Sequence, residues 1–395
     1  MADPGKPATL AVHAGTRLDS KARPLIEGVH VSTVSYFDRS ADLDRSLEGE
    51  DFVYARITHQ NGVLLEQAIS ALEGSEGCVS YASGMAAMRA LLDAQALKTG
   101  DAVVIPADCY GVTRALFKAH CAERGAELHS LDLADPHAPE RVAALEPHLV
   151  LAESVTNPLL AVPDLPALAN ACRAAGATFA VDATFASPAL QRPLEMGADY
   201  SLHSTTKWIN GHSDAMGGVI SANADRIRAL RGSRTVEGAI LGPFEAYLTL
   251  RGLRTLLVRM RSHSENALRV SQKLSESPLM ERVIYPGLEG HPNHAVARRV
   301  LDGGFGGMMA FEIRGAGRAE VFRFLEALRL ARPAPSLGDV ATMVMHAASA
   351  ASRRMSPEER TAAGIKENLV RVSVGLEDPD DVAADLLAAA AKAMS

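Results

Sequence analysis

The chain has 395 residues, 47% hydrophobic and 22% charged, which are ordinary globular values and too many residues for one hydrophobic core. No apolar run reaches the length of a bilayer span, and the N-terminal MADPGKPATLAVHAG has no apolar stretch behind a basic one, so a cytoplasmic chain is expected. A formal charge of -7 with no basic, aromatic-rich patch leaves no footprint for nucleic acid, and the partners expected are small molecules and further copies of the chain.

In chain order, the first sixty or so residues carry little regular pattern and read as an arm laid over something else. YASGMAAMRALL (81–92) then sets Ser83 as an N-cap before a run of strong helix formers, with Gly84 permitting close backbone approach. Such a helix start offers N–H groups and partial positive charge to an anion, although most are only caps. Neither a G-x-x-x-x-G-K-[ST] loop nor a well-placed G-x-G-x-x-G accompanies it, so a nucleotide is not the natural source of that anion.

The runs DAVVIP, HLVLAES, TFAVDAT and GGVISA are continuous rather than alternating, as strands covered on both faces are. Between them GVTRALFKAHCAERG and LPALANACRAAG end on glycine, where a helix needs its C-terminal cap. The alternation predicts an open, mostly parallel sheet. Residues 243–277 are too long for one ordinary helix, and Gly252 is the one strong breaker within them. Beyond them GGMMAFEIRG, VFRFLEALRLA, NLVRVSVGLE and PDDVAADLLAAAAKAM predict a smaller α/β unit.

Cys78, Cys109, Cys121 and Cys172 lie far apart with no C-x-x-C, which supports neither a zinc cluster nor a disulfide framework. His291 and His294 have a spacing a metal could use but no third ligand nearby, and a loop leading into a helix is the simpler reading; no metal is expected. Asp182 follows an apolar run directly, at the carboxyl edge of a parallel strand where open α/β sheets bind ligands. Twenty-five positions on, Lys207 follows ADYSLHSTT, another strand candidate, with hydroxyls at Ser204 and Thr206. An amine, an acid and an anion cradle together suit a Schiff base on a phosphorylated aldehyde cofactor, the acid keeping a ring nitrogen protonated.

The set YAR (54–56), SGMAA (83–87), DCYG (108–111), ESVTNPLL (153–160), VDATFASP (181–188), HSTTKWINGHSD (203–214), SLGD (336–339) and LVRVSVGLED (369–378) resembles the Cys/Met-metabolism family of pyridoxal-phosphate enzymes. The resemblance runs in order from about residue 10 to residue 390 and is nearest in motif to the methionine γ-lyases, with cystathionine γ-synthases, cystathionine γ-lyases and O-acylhomoserine sulfhydrylases in the same family. It implies the aspartate aminotransferase-like type I fold, with an arm at 1–62, a cofactor-binding domain at 63–255 and a C-terminal domain at 256–395. It also implies pyridoxal 5'-phosphate as cofactor, an amino-acid substrate, γ-elimination or γ-replacement, and a homotetramer built as a dimer of dimers with active sites shared between subunits. By that resemblance Lys207 bonds the cofactor and moves protons, Asp182 binds its ring nitrogen, and Tyr110 stacks on the ring and acts as acid or base. Ser83, Gly84, Met85, Ser204 and Thr206 hold the phosphate, and Tyr54 and Arg56 reach it from a neighbouring subunit. Glu153, Asn157 and Thr184 line the cofactor, and Arg371, with Ser336 and Tyr54 beside the substrate, grips its carboxylate.

Departures from the family pattern fall in the substrate shell. His59, Gln60 and Asn61 replace Asn-Pro-Thr after YAR; Val112 stands where methionine γ-lyases often have cysteine; Ala115 stands where γ-synthases usually have arginine, with Arg114 one position off. Ala347, Ala351 and Ser352 replace the usual Pro, Thr and His, and Ala183 stands where Asn is common. The pattern predicts an intact cofactor shell and a less standard γ-substituted substrate.

Overall fold

The continuous apolar runs become strands in the computed structural model, which describes residues 6–14 and 25–395. The larger sheet has seven strands: β1 (Gly77–Tyr81), β2 (Ala102–Pro106), β3 (Glu127–Leu131), β4 (Leu149–Glu153), β5 (Thr178–Asp182), β6 (Tyr200–His203) and β7 (Gly218–Ala222). The smaller has five: β8 (Met280–Ile284), β9 (Met308–Ile313), β10 (Arg332–Pro333), β11 (Met343–His346) and β12 (Leu369–Ser373). Every residue of β4 and β7 is buried, the condition that makes their sequences read as unbroken apolar runs.

The chain packs as two units, each discontinuous in sequence: the described residues up to Ala94 with Leu202–Leu256, and Gln95–Ser201 with Leu257–Ser395. In the first, β1 pairs antiparallel with β7, from Gly77 opposite Ala222 to Tyr81 opposite Gly218. The helix Gly84–Ala94 follows β1 at once, and Gln60–Glu73 and Ala224–Glu237 belong to the same unit. The segment expected to exceed one helix is two, Pro243–Leu253 and Leu256–Ser275. Gly252 lies inside the first of these rather than at the break. A Cβ there would sit 2.0 Å from the Asn210 carbonyl oxygen, so close packing, not chain breaking, requires the glycine.

In the second unit the order β5-β4-β2-β3 is parallel throughout, with Glu153 at the end of β4 directly opposite Asp182 at the end of β5. Val104, Val150, Phe179 and Val181 pack on Leu165, Leu168 and Cys172 of the helix Leu165–Ala174. The smaller sheet runs β10-β11-β12-β9-β8, and its core joins Met309, Phe311, Val370 and Val372 to Phe324 and to Leu386 of the helix Pro379–Met394. The α/β architecture with a mostly parallel central sheet and a smaller second sheet is the one the sequence predicts. Among the described residues no helix is long and apolar enough to cross a membrane.

Candidate active site

In the first unit, a helix start is built against the end of a strand. Ser83 Oγ accepts from Ala86 N at 3.1 Å, the capping bond its sequence position predicts. The Gly84 and Met85 N–H groups lie in the first turn, where the helical ladder supplies no acceptor. A Cβ on Gly84 would stand 2.8 Å from Ser204 Cβ and 3.0 Å from its Oγ, and one on Gly218 would stand 2.4 Å from the Ser83 carbonyl oxygen. Two glycines therefore let the helix start and the 204–218 segment close on each other. Thr206 Oγ1 accepts from Gly217 N at 3.0 Å and lies 3.2 Å from the Gly217 carbonyl, pinning the far end of that segment to the turn around Lys207. Lys207 is half-buried, its main-chain N–H donating to the Ser204 carbonyl at 3.2 Å.

A buried pair that sequence reading did not find sits under this segment. His203 Nε2 lies 2.6 Å from Glu73 Oε1, and both side chains are at most 1% exposed. The partners are 130 positions apart, beyond the reach of any local pattern. A second buried cluster joins Glu66 to Arg234 at 2.8 Å, to Arg231 at 2.7 Å and to the Ser80 hydroxyl at 2.8 Å, while Arg234 also donates to the Ile57 carbonyl. That last bond anchors the chain just after Tyr54 and Arg56. Those two side chains are exposed, the Arg56 guanidinium 5.4 Å from the Tyr54 ring centroid and donating to the Thr235 carbonyl.

The His59-Gln60-Asn61 departure has a structural account. His59 caps the helix Gln60–Glu73: Nδ1 accepts from Gly62 N at 3.1 Å and Nε2 lies 2.9 Å from the Leu241 carbonyl, which fixes the Nε2–H tautomer. Burial pulls its pKa below the ordinary histidine value. Asn61 accepts from His30 N at 2.9 Å and donates to the Gly28 carbonyl at 2.8 Å, tying residues 28–30 to the start of that helix. A cavity of about 210 Å³ lies among residues 30–35 and 52–60, with Tyr54 and His59 in its lining.

In the second unit the candidates converge on buried charge. Asp182 Oδ1 accepts from Thr184 N at 3.0 Å and from Thr184 Oγ1 at 2.5 Å, so Thr184 sets the carboxylate's rotation. Glu153, 5% exposed, accepts from Tyr110 N at 2.9 Å and from Asn157 N at 3.0 Å. Burial first, and then Asp182 and Asp108, push its pKa well above the usual carboxylate range. Asp108, pushed up to about 6 by burial, accepts from the Thr156 hydroxyl. Tyr110 is exposed, at the N-cap of the helix Gly111–Arg124. Arg371, on β12 and 3% exposed, donates to Asn157 Oδ1 at 2.9 Å and to the Ser336 carbonyl at 3.0 Å. Its pKa is lowered to about 10 by burial.

The remaining departures separate into used and spare groups. Arg114 is committed to the structure, donating to Ser130 Oγ at 2.9 Å and to the Pro106 and Ala107 carbonyls. The segment with Ala347, Ala351 and Ser352 packs against the start of the helix Gly111–Arg124, where Gly111 N donates to the Ala351 carbonyl at 3.3 Å. A Cβ on Gly111 would stand 2.8 Å from that oxygen. His291 Nδ1 accepts from Asn293 N, His294 Nδ1 lies beside the Pro286 carbonyl at the start of the helix His294–Val300, and among the described residues no group of three potential ligands could hold a metal.

Known proteins resemble the chain over its whole length. It is 40% identical to an O-succinylhomoserine sulfhydrylase of Pseudomonas aeruginosa, covering 96% of this chain and 93% of that one. It is 38% identical to an L-methionine gamma-lyase of Fusobacterium nucleatum subsp. polymorphum, covering 96% of each. The crystal structure of cystathionine gamma synthase from Xanthomonas oryzae pv. oryzae in complex with cystathionine superposes with a TM-score of 0.93 at 40% identity, over 99% of both chains. A sequence profile matches residues 8–391, and on these grounds the chain belongs to the Cys/Met metabolism PLP-dependent enzyme family.

Proposed function

We propose that the protein is a pyridoxal-phosphate-dependent enzyme of γ-elimination or γ-replacement on a homoserine-derived, sulfur-containing or O-acylated amino acid. The observation that carries the substrate class is Arg371. A guanidinium 3% exposed, answered by a neutral amide and a main-chain carbonyl, is a receptor for a carboxylate.

The residues present fit the cofactor. Gly84 leaves a cradle that a Cβ would fill, with the Gly84 and Met85 N–H groups in the first helical turn suited to a phosphate. Ser83, Ser204 and Thr206 would complete that hold, with Tyr54 and Arg56 supplied by a second copy of the chain. When bound, pyridoxal phosphate supplies an electron sink that stabilises negative charge at substrate Cα and then Cβ. Lys207 Nζ would hold the cofactor's aldehyde carbon and would serve as the base for the substrate Cα proton. Asp182, its carboxylate turned by Thr184, would hold positive charge on the ring nitrogen. Tyr110 would pack on the ring and serve as an acid or base, Glu153 and Asn157 would line it, and Arg371 with Ser336 and Tyr54 would orient the substrate through its carboxylate.

We further propose a cytoplasmic location and a homotetramer; that copies of the chain associate is supported by the apolar side chains left exposed at Val31, Val34 and Tyr36. The functional division proposed is an arm at 1–62, a cofactor segment at 63–255 and a C-terminal segment at 256–395. A γ-replacement reading of the sulfhydrylase or cystathionine γ-synthase type stands beside the lyase reading, because identities of 40%, 38% and 39% to a sulfhydrylase, a lyase and a synthase do not separate them.

Purified protein loaded with pyridoxal phosphate should show a visible absorption band that Lys207→Ala abolishes, along with at least about a thousandfold of activity, the scale seen on removing a covalent catalytic group. A protein that stays colourless sinks the cofactor assignment. O-succinylhomoserine with and without a thiol then separates the two reactions: a 2-oxo acid marks elimination, a new thioether marks replacement.

A further inference from the structure

Glu153 does more than its sequence position implies. It ends β4, is 5% exposed, and gives one oxygen to each of two main-chain donors: Oε1 to Tyr110 N at 2.9 Å and Oε2 to Asn157 N at 3.0 Å. An ionised carboxylate serves two such donors better than a protonated one, and these two bonds oppose the upward push that burial, Asp182 and Asp108 give its pKa. The two peptides it holds lead to different groups. Tyr110 opens the helix Gly111–Arg124, and Asn157 Oδ1 accepts from Arg371 at 2.9 Å, with the other Arg371 nitrogen on the Ser336 carbonyl. One buried carboxylate thus ties the residue proposed to pack on the ring to the residue proposed to grip the substrate, across 43 positions in one direction and four in the other.

We propose that Glu153 is a positioning residue that sets the substrate-carboxylate grip through Asn157, and so acts on Arg371 without touching substrate. This rests on the reading of Arg371 given under Proposed function. Asn157 joins Glu153 to Arg371 by hydrogen bonds, beside the direct pull of the Glu153 charge on Arg371, and that bonded link makes the proposal separable from a general role in holding the fold together.

Glu153→Gln is the isosteric probe. Its amide keeps one acceptor and turns an NH2 toward the other peptide N–H, so one of the two bonds is lost. The dissociation constant of the loaded enzyme for glycine, measured by calorimetry, should rise about tenfold, the scale of one charge-assisted hydrogen bond, and the KM for O-succinylhomoserine should rise with it. The affinity for pyridoxal phosphate, read from its absorbance, should fall by a smaller factor than the affinity for glycine, because Glu153 lines the cofactor but reaches the substrate grip through Asn157. In a double-mutant cycle, Glu153→Gln should cost less glycine affinity in the Asn157→Ala background than in the wild type, because the hydrogen-bonded path runs through Asn157. Additive losses, or a glutamine variant with the wild-type glycine affinity, overturn the proposal. Should the glutamine variant fail to accumulate as folded protein, Glu153→Asp, which shortens the same reach by one methylene, takes its place in the cycle with the same two outcomes. A wild-type protein that binds no pyridoxal phosphate fails the functional reading itself, while a coloured variant with unchanged glycine affinity fails only the positioning role.

Discussion

The helix start at Ser83 and Gly84 and the network around Arg371 are built from opposite materials. The first uses main-chain N–H groups, small hydroxyls and two glycines, where a Cβ would stand 2.8 Å from the Ser204 side chain at Gly84 and 2.4 Å from the Ser83 carbonyl oxygen at Gly218. The groups that face the anion are main-chain N–H and hydroxyl rather than ionised side chains, so holding it there costs little beyond the glycine entropy. The second buries charge outright: Arg371 at 3% and Glu153 at 5% exposure, with neutral partners on the guanidinium and main chain on the carboxylate. Elsewhere in the chain a buried arginine is matched by a carboxylate, as Arg234 is by Glu66 at 2.8 Å. A cradle of backbone is indifferent to what the anion is attached to, whereas a buried cation answered only by neutral oxygens favours a ligand that brings a carboxylate.

The comparison breaks first at Arg371. Arg371→Leu removes the buried cation and keeps apolar volume, so kcat/KM for an amino-acid substrate should fall by about a thousandfold, the 3–5 kcal/mol of a truncated buried pair. The cofactor band should remain, since its proposed phosphate hold is elsewhere. Steady-state kinetics beside the absorption spectrum checks this; if the band disappears together with the activity, the two regions are not doing separate work.

Gly84→Ala tests the other region with a single methyl group. Its Cβ would meet Ser204 Cβ at 2.8 Å and Ser204 Cα at 3.1 Å, and the helix start must retreat to make room. Overpacking of this kind costs about 1–3 kcal/mol, which predicts pyridoxal-phosphate affinity lower by about ten- to a hundredfold. With cofactor saturating, the substrate KM should barely move. Spectroscopic titration gives the first quantity and kinetics the second, and a variant with wild-type cofactor affinity would show that the close approach is structural only.

How much of this was legible in the sequence follows from the range of each signal. Period and punctuation are local, so the runs that become β2, β4, β5 and β7, the helix ends at Gly125 and Gly176, and the Ser83 cap could all be read. Strand partners are not local, and nothing in GCVSY announces that β1 lies antiparallel to β7. The same limit hid the Glu73–His203 pair and the double duty of Glu153, because a glutamate at the end of an apolar run reads alike whether it meets water, a cofactor or two peptide N–H groups. Arg114 shows the converse. Its residue type suggested a spare cation near Ala115, and the carbonyls of Pro106 and Ala107 absorb it.

His59 offers the smallest and most specific test, because there the sequence departs from its family and the structure gives the reason. The ring caps a helix only while Nδ1 is unprotonated, and burial keeps its pKa below the usual 6.5. A histidine whose folded pKa is depressed contributes stability that is fully present above its unfolded pKa and is lost as pH falls through the folded value. His59→Asn puts a good capping residue there that does not titrate but cannot reach the Leu241 carbonyl. At pH 8 the variant should therefore be less stable by about 1 kcal/mol, the value of one neutral hydrogen bond. Between pH 8 and pH 5 it should lose less stability than the wild type does. His263, His291 and His346, whose pKa values are also depressed by burial, act equally in both proteins and cancel in the comparison. Melting temperatures of the two proteins at the two pH values measure that double difference, and equal pH losses would show that the cap survives protonation.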